Sequence, residues 1–441
     1  MVPLDGPVES MQHTRPLGAQ ESIFHQMHGL KAFIPLQVLH VKGAVDPERV
    51  RQGLVWLQRQ HPLLRAHIRY GSFSLLGVPP FLVRRPFFET KGTTAIPFEV
   101  VDGNWEDILA RELDTRLPKN RTPRMRVTLV RDPADAARSH IVILADHATI
   151  DAQSINMLSR ELLEYLADPA AMEATLPSLT DLPPPLEERL GKKPHSGTRK
   201  FQYPLRIPLR PLEPDVKRRS RVLGRHLDAR TAAALKSIAR DKGTTLHGLI
   251  AASFLLALNR MFGIADLTCL STIDLRRLCR PPLPKDTFGC YVDILRTRIA
   301  IADDLWTTAR DVSFKLIAAL AKDQAMASIL NAPTFRRYAS QAIPTMTHRL
   351  RIDSLCVTTA GESGLKRTYG NRTLEDVTMA VSIDLYGPTL MVIASEREGR
   401  LDLCINYSAR VIAPADVTTI ADDAVATLNA AVGALQTTTA S

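Results

Sequence analysis

Asp146-His147-Ala148-Thr149-Ile150-Asp151-Ala152 follows the run His140-Ile141-Val142-Ile143-Leu144-Ala145 and precedes Ile155, Leu158, Leu162 and Leu166, which recur every three or four residues. The first run predicts a buried strand and the second a helix packed by one face, so His147 stands at a strand-to-helix turn. A turn in that place can project an imidazole into a cavity, while a carboxylate four residues on accepts hydrogen bonds and stiffens the turn. Two plainer roles stay open: Asp151 as the helix N-cap and His147 as a structural histidine. The chain has twelve histidines, so a single His-x-x-x-Asp is close to what chance supplies and only its context can give it meaning.

Working outward, Met125, Val127 and Leu129 alternate with Arg126 and Thr128, and an Asp- and Pro-rich turn at 132–135 joins them to the 140–145 run as a hairpin. Asp46-Pro47-Glu48 reads as a helix start, with Val50, Leu54 and Leu57 carrying the helix to about Gln60. A strand-like run from Ile34 to Val41 precedes it, and Leu64, Ala66 and Ile68 alternate after it as a second strand would. The second half continues with helices around 230–240 and 245–262, a strand at 267–273, a hairpin from 390–395 to 401–407, and a closing helix lined by Val417, Ile420, Ala424, Leu428, Ala431 and Leu435. The predicted class is α/β.

A length of 441 residues suits two lobes. Hydrophobic residues at 45% and charged residues at 23% exclude a mainly disordered, collagen-like or coiled-coil chain. No apolar run reaches the length of a membrane span, and the first residues lack a signal-peptide layout, so a soluble cytoplasmic protein is expected. The five cysteines are Cys269, Cys279, Cys290, Cys356 and Cys404; their spacing suggests reduced thiols and no structural metal. Much of the net charge of +10 is local: Arg189 to Arg225 holds twelve Lys/Arg against two acidic residues, broken by prolines at 194, 204, 208, 211 and 214. This stretch reads as a basic, Pro-rich linker at 183–222 between lobes at 1–182 and 223–441. A basic surface for phosphates or an acidic partner is the second reading, and nucleic acid the weakest.

There is no Walker A loop, GxGxxG, GxSxG, HExxH or EF-hand loop. The 146–152 segment is instead similar to the HHxxxDG motif of the chloramphenicol acetyltransferase-like and condensation-domain superfamily. Three further segments agree in order. Leu17 to Phe24, with Arg59-Gln-His-Pro-Leu-Leu-Arg65 beyond it, resembles that superfamily's opening. Ser271-Thr-Ile-Asp-Leu-Arg-Arg277 with Phe288-Gly289-Cys290 resembles its strand ending in Asp-Leu-Arg and a special glycine. Leu355 to Gly361 and Val381 to Pro388 look closest to the phthiocerol/phthiodiolone dimycocerosyl transferase branch of polyketide-associated acyltransferases.

This resemblance implies two acetyltransferase-like lobes forming a pseudo-dimer, with an active-site tunnel between them. It implies His147 as general base and Asp151 as a structural residue paired with Arg276, or failing that Arg277. It makes Thr358, Thr359 and Gly361 candidates for the oxyanion site or the tunnel wall. The donor would be acyl-coenzyme A or an acyl group on a phosphopantetheinyl carrier, which could be acidic; the acceptor would be a hydroxyl of a polyketide, lipid or other natural product. No permanently bound cofactor, metal or nucleic acid is implied, and a monomer is expected. An amide-forming condensation enzyme and a non-catalytic docking module for a carrier protein are the alternatives. Two departures stand out: Asp146 replaces the motif's first histidine, where it would raise the basicity of His147, and Ala152 replaces its glycine. His25 and His28 read as tunnel-mouth or surface residues, His61 and Arg65 as the close of a helix and the start of a strand, and Asp384 and Tyr386 as weaker candidates.

Overall fold

A computed structural model describes residues 13–29, 32–70, 86–118, 121–175, 180–192, 220–322, 326, 351, 353–383 and 387–438. Residues 193–219 of the basic linker, and Asp384 and Tyr386, lie outside the described residues. In chain order the elements of the first half are β1 (Thr14–Pro16), α1 (Ala19–Gly29), β2 (Ala32–Lys42), α2 (Pro47–Gln60), β3 (His67–Tyr70), β4 (Pro86–Glu89), β5 (Phe98–Asp102), α3 (Trp105–Asp114), β6 (Met125–Arg131), β7 (Arg138–Ala145), α4 (Ala152–Ala167), α5 (Pro169–Ala174) and α6 (Leu186–Arg189). The second half holds β8 (Ser220–Leu227), α7 (Ala229–Asp241), α8 (Leu246–Phe262), β9 (Asp266–Asp274), β10 (Val292–Ala300), α9 (Leu305–Ala321), β11 (Asp353–Glu362), β12 (Thr368–Tyr369), β13 (Arg372–Ile383), β14 (Pro388–Arg397), β15 (Arg400–Ser408) and α10 (Pro414–Thr438).

Two six-stranded sheets organise the molecule, in the orders β12-β13-β2-β7-β6-β5 and β10-β9-β11-β14-β15-β8. The expected hairpin is β6 with β7, antiparallel from Met125↔Ala145 to Arg131↔Ser139. The unbroken burial of β7 after Arg138 has a simple cause: Ile141, Ile143 and Ala145 face the main core, while Val142 and Leu144 face a second cluster closed by Leu109 and Leu113 of α3. Both faces of the strand are covered, so no polar alternation survives in the sequence. The expected strand at 64–68 begins later. Pro62–Arg65 is a 3-10 turn capped by His61, and the strand starts at His67, because Arg65 turns back to bond the carbonyls of Gln58, Arg59 and Thr180.

The chain crosses between the sheets. β13 leaves the second half and pairs antiparallel with β2, from Thr373↔Lys42 to Ile383↔Ala32, at the far side of the first sheet from β6. The second sheet packs one face, through Leu270, Cys356, Met391, Ile393 and Cys404, into the core of the first half. Its other face, through Cys269, Leu355, Val357 and Val392, packs under α7, α8 and α10. Among the described residues no single helix is long and apolar enough to cross a membrane. All five cysteines are buried and unpaired.

Candidate active site

The turn after β7 is built by Asp146. Its backbone N–H bonds the Arg124 carbonyl, closing the strand. Its carboxylate takes the Ala148 N–H at 3.0 Å, and its carbonyl accepts both the N–H and the hydroxyl of Thr149 at 2.9 Å. An aspartate that captures the backbone two residues on is a turn-forming device. Asp146, Ala148, Thr149, Ile150 and Asp151 are all buried, whereas His147 between them is only partly so. The imidazole is therefore the group this turn presents.

The His147 ring lies flat on Phe24 of α1, with centroids 4.1 Å apart and planes within 12°. Its Nδ1 faces the Cys290 thiol at 3.5 Å. Burial pushes the imidazole below its ordinary 6.5, opposed by the Asp151 carboxylate, by bonds to the backbone of His147 and Ile150, and by Asp146. Burial also pushes the Cys290 thiol well up, so it stays a neutral neighbour. His147 is thus uncharged at neutral pH, the form that can accept a proton.

Asp151 does two jobs at once. It caps α4 through the Ser154 N–H at 2.9 Å, and it meets Arg276 at 2.9 and 3.0 Å. Its second oxygen also accepts the Tyr291 N–H at 2.9 Å, and its backbone N–H donates to the Gly289 carbonyl at 3.2 Å. Arg276 is 1% exposed and also binds Asp274, the Thr287 carbonyl and the Ser154 hydroxyl, with Tyr291 under its guanidinium. Arg277 is exposed on the opposite side of the 3-10 turn. Gly289 sits at φ +149, and a Cβ there would meet the Tyr291 ring at 2.7 Å, so a glycine is needed for the strand to pass. Ala152 is the first helical residue of α4 and has no positive φ, so this position does not require glycine.

Thr358 and Thr359 point to opposite faces of β11. Thr358 shares the face of Cys356, toward the core that holds Phe24, Ala148 and Cys290; its hydroxyl is buried with no hydrogen-bond partner among the described residues. Thr359 shares the face of Val357 and spends its hydroxyl on His247 Nδ1 at 2.9 Å, which in turn meets Ser271 at 2.8 Å. Gly361 lies at φ +70 where β11 and β14 slip register, with open space around its Cα. His61 caps α2 and stacks on Phe288, with Glu161 at 2.6 Å. His28 is buried, and burial lowers it to about 4. It is not a surface residue: its Nε2 accepts the Leu117 N–H.

Of the groups that surround Asp146, the sequence singles out His25 and His28 but neither Arg124 nor Tyr70. Arg124 donates to its carboxylate at 2.8 and 3.1 Å, and His25 Nδ1 lies 3.0 Å from it. Desolvation favours the neutral acid, yet Arg124, His28 and His25 outweigh it and hold Asp146 well below the usual carboxylate range. Tyr70 closes the far end, its hydroxyl 2.7 Å from His25 Nε2. Nothing in the local pattern marks Arg124 or Tyr70, since each is set there by strand pairing.

Residues 217–384 match the family described as phthiocerol/phthiodiolone dimycocerosyl transferase C-terminus. No protein of curated function matches the chain significantly. Among solved structures, the chain is similar to polyketide synthase associated protein 5 from Mycobacterium tuberculosis, with a TM-score of 0.64 at 16% identity, covering 93% of this chain and 96% of that one. It is similar to TRI3 trichothecene 15-O-acetyltransferase from Fusarium sporotrichioides, with a TM-score of 0.69 at 12% identity over 95% of each. The condensation domain of the monacolin K polyketide synthase MokA gives 0.64 at 12% identity over 95% and 97%. The fold is therefore the two-lobed α/β fold of the chloramphenicol acetyltransferase-like and condensation superfamily.

Proposed function

We propose that the protein is an O-acyltransferase that moves an acyl group from a thioester, on coenzyme A or a phosphopantetheinyl carrier, to a hydroxyl of a polyketide, lipid or related acceptor. His147 is its general base. The observation that carries this reading is the turn itself: a neutral imidazole is the one partly exposed side chain in a stretch otherwise buried and hydrogen-bonded. Nδ1 is turned to Cys290, and Nε2 takes the acceptor's proton as its oxygen bonds to the thioester carbon. The resulting oxyanion collapses, the C–S bond breaks, and the proton passes from the imidazolium to the leaving thiolate. Phe24 sets the ring plane, and the Asp151–Arg276 pair holds the turn against the second lobe. In this reading the lobes are 1–182 and 223–441, joined by 183–222, in a monomeric cytoplasmic enzyme.

The test is thiol release from acyl-coenzyme A donors, short to long, with alcohol and amine acceptors. Release that depends on an alcohol acceptor supports the proposal. Release with amines alone points to amide formation, and no release from any coenzyme A or carrier-bound donor overturns it.

Two results are expected of an active preparation. The acid limb of kcat/KM falls below pH 6.5, because burial lowers the imidazole and activity is lost only as it protonates; a pH-rate profile reads this directly. Thr358→Val removes the unpartnered hydroxyl at constant shape. As an oxyanion donor Thr358 is worth about 100-fold or more in kcat, while the urea midpoint of the variant stays level or rises. An unchanged kcat would assign Thr358 to packing.

A further inference from the structure

His25 and Phe24 are neighbours on α1, and Asp146 and His147 are neighbours in the catalytic turn. They meet pair against pair: Phe24 stacks on His147, and His25 Nδ1 reaches the Asp146 carboxylate at 3.0 Å. We infer that His25 is a positioning residue for the His147 imidazole, fixing α1 to the turn through Asp146 so that Phe24 holds the ring plane. The role of the orientation in turnover rests on His147 being the base.

The chemistry fixes the polarity of this contact. Asp146 is fully buried and paired with Arg124, so it stays ionised and only accepts. His25 must therefore donate from Nδ1, and its Nε2 lies 2.7 Å from the Tyr70 hydroxyl. Tyr70 remains a phenol, pushed up to about 12 mainly by burial. The chain Tyr70–His25–Asp146 thus ends on the residue before His147. This arrangement gives the unusual Asp146 a purpose. An aspartate at this position draws its imidazole from α1, and it thereby clamps the helix that carries Phe24.

The groups around the contact are Arg124 ahead of β6, His25 and His28 on α1, Tyr70 on β3, Asp151 in the turn, and Cys290 ahead of β10. Removing His25 leaves the Asp146 charge less compensated beside His147, which favours the imidazolium. The midpoint for His147 therefore moves up, and rescue by a side chain that restores only the donor to Asp146 separates this from mere loosening of the helix.

The experiment compares the full-length wild type with His25→Ala, His25→Asn and Tyr70→Phe. It follows the His147 ring Hε1 resonance by histidine-labelled NMR over a pH series, alongside thiol release. In the wild type the resonance is shifted upfield by the Phe24 ring. In His25→Ala the upfield shift is reduced, the titration midpoint rises, and kcat falls about 100-fold, the size of a roughly 1 Å misplacement, with KM little changed. Asparagine, whose side-chain N–H can replace Nδ1 as donor, restores most of both readouts, and Tyr70→Phe gives a smaller change in the same direction. If His25→Ala does not fold, the asparagine and phenylalanine variants carry the test. A His147 resonance and midpoint that match the wild type in the alanine variant, or in Tyr70→Phe if alanine does not fold, would overturn the inference. A wild type without thiol release counts against the proposed activity, and the NMR arm still decides whether His25 positions the ring.

Discussion

His147→Ala is expected to lower the kcat for acceptor-dependent thiol release by about 100- to 10,000-fold, the span that a positioned general base supplies. The side chain is partly exposed and its main packing contact is the Phe24 face, so the variant folds and the loss is one of chemistry. KM changes little, because a base that acts on the acceptor proton contributes in the transition state and not in ground-state binding. The acid limb of the pH profile disappears in the variant along with the group that causes it. Circular dichroism and the urea midpoint establish folding, and single-turnover thiol release isolates the chemical step. A folded alanine variant with wild-type kcat would remove His147 from the mechanism.

Asp151→Ala has the largest expected effect on stability. The carboxylate is fully buried and accepts from Ser154, Tyr291 and both terminal nitrogens of Arg276, itself 1% exposed. Deleting it strands a buried guanidinium whose remaining partners are Asp274, Ser154 and the Thr287 carbonyl. Breaking such a pair costs roughly 3–5 kcal/mol, a large fraction of an ordinary domain's stability. The urea midpoint falls accordingly, and the surviving folded fraction has reduced kcat because the turn loses its tie to the 287–291 segment. Removing both charges in Asp151→Ala/Arg276→Met recovers part of the stability without recovering the rate, since an apolar pair tolerates burial but does not cap α4 or bond Tyr291. A single variant within about 1 kcal/mol of wild type would mean that water replaces the carboxylate and that the pair is not a structural joint.

The first-half elements near the turn were legible because their causes are local. Asp46 caps α2 through the Glu48 N–H, and Pro47 occupies its first turn, as the sequence implies. The period of Ile155, Leu158, Leu162 and Leu166 matches one buried face of α4. Leu64 and Arg65 belong to a 3-10 turn although the apolar and polar residues from Leu64 to Ile68 alternate as in a strand, because the tertiary bonds of Arg65 bury a side chain that the alternation assigns to the surface. The surface reading of His28 fails because the ring is buried and meets the Leu117 N–H, 89 residues away, a contact that no local pattern records.

The sequence by itself determined that the chain has an apolar α/β core, that His147 ends a buried strand, and that Asp151 opens the following helix. Those properties follow from side-chain periodicity and cap chemistry within a few residues. Only the tertiary structure decided that Arg276 and not Arg277 closes on Asp151, since one side of a single 3-10 turn faces the core and the other faces solvent. It also separated Thr358 from Thr359 by the pleat of β11, drew β13 into the first sheet, and brought His25 and Arg124 onto Asp146. These contacts join residues up to hundreds of positions apart. They are set by how two sheets pack and by the need of each buried charge to find a partner, and no local pattern records that requirement.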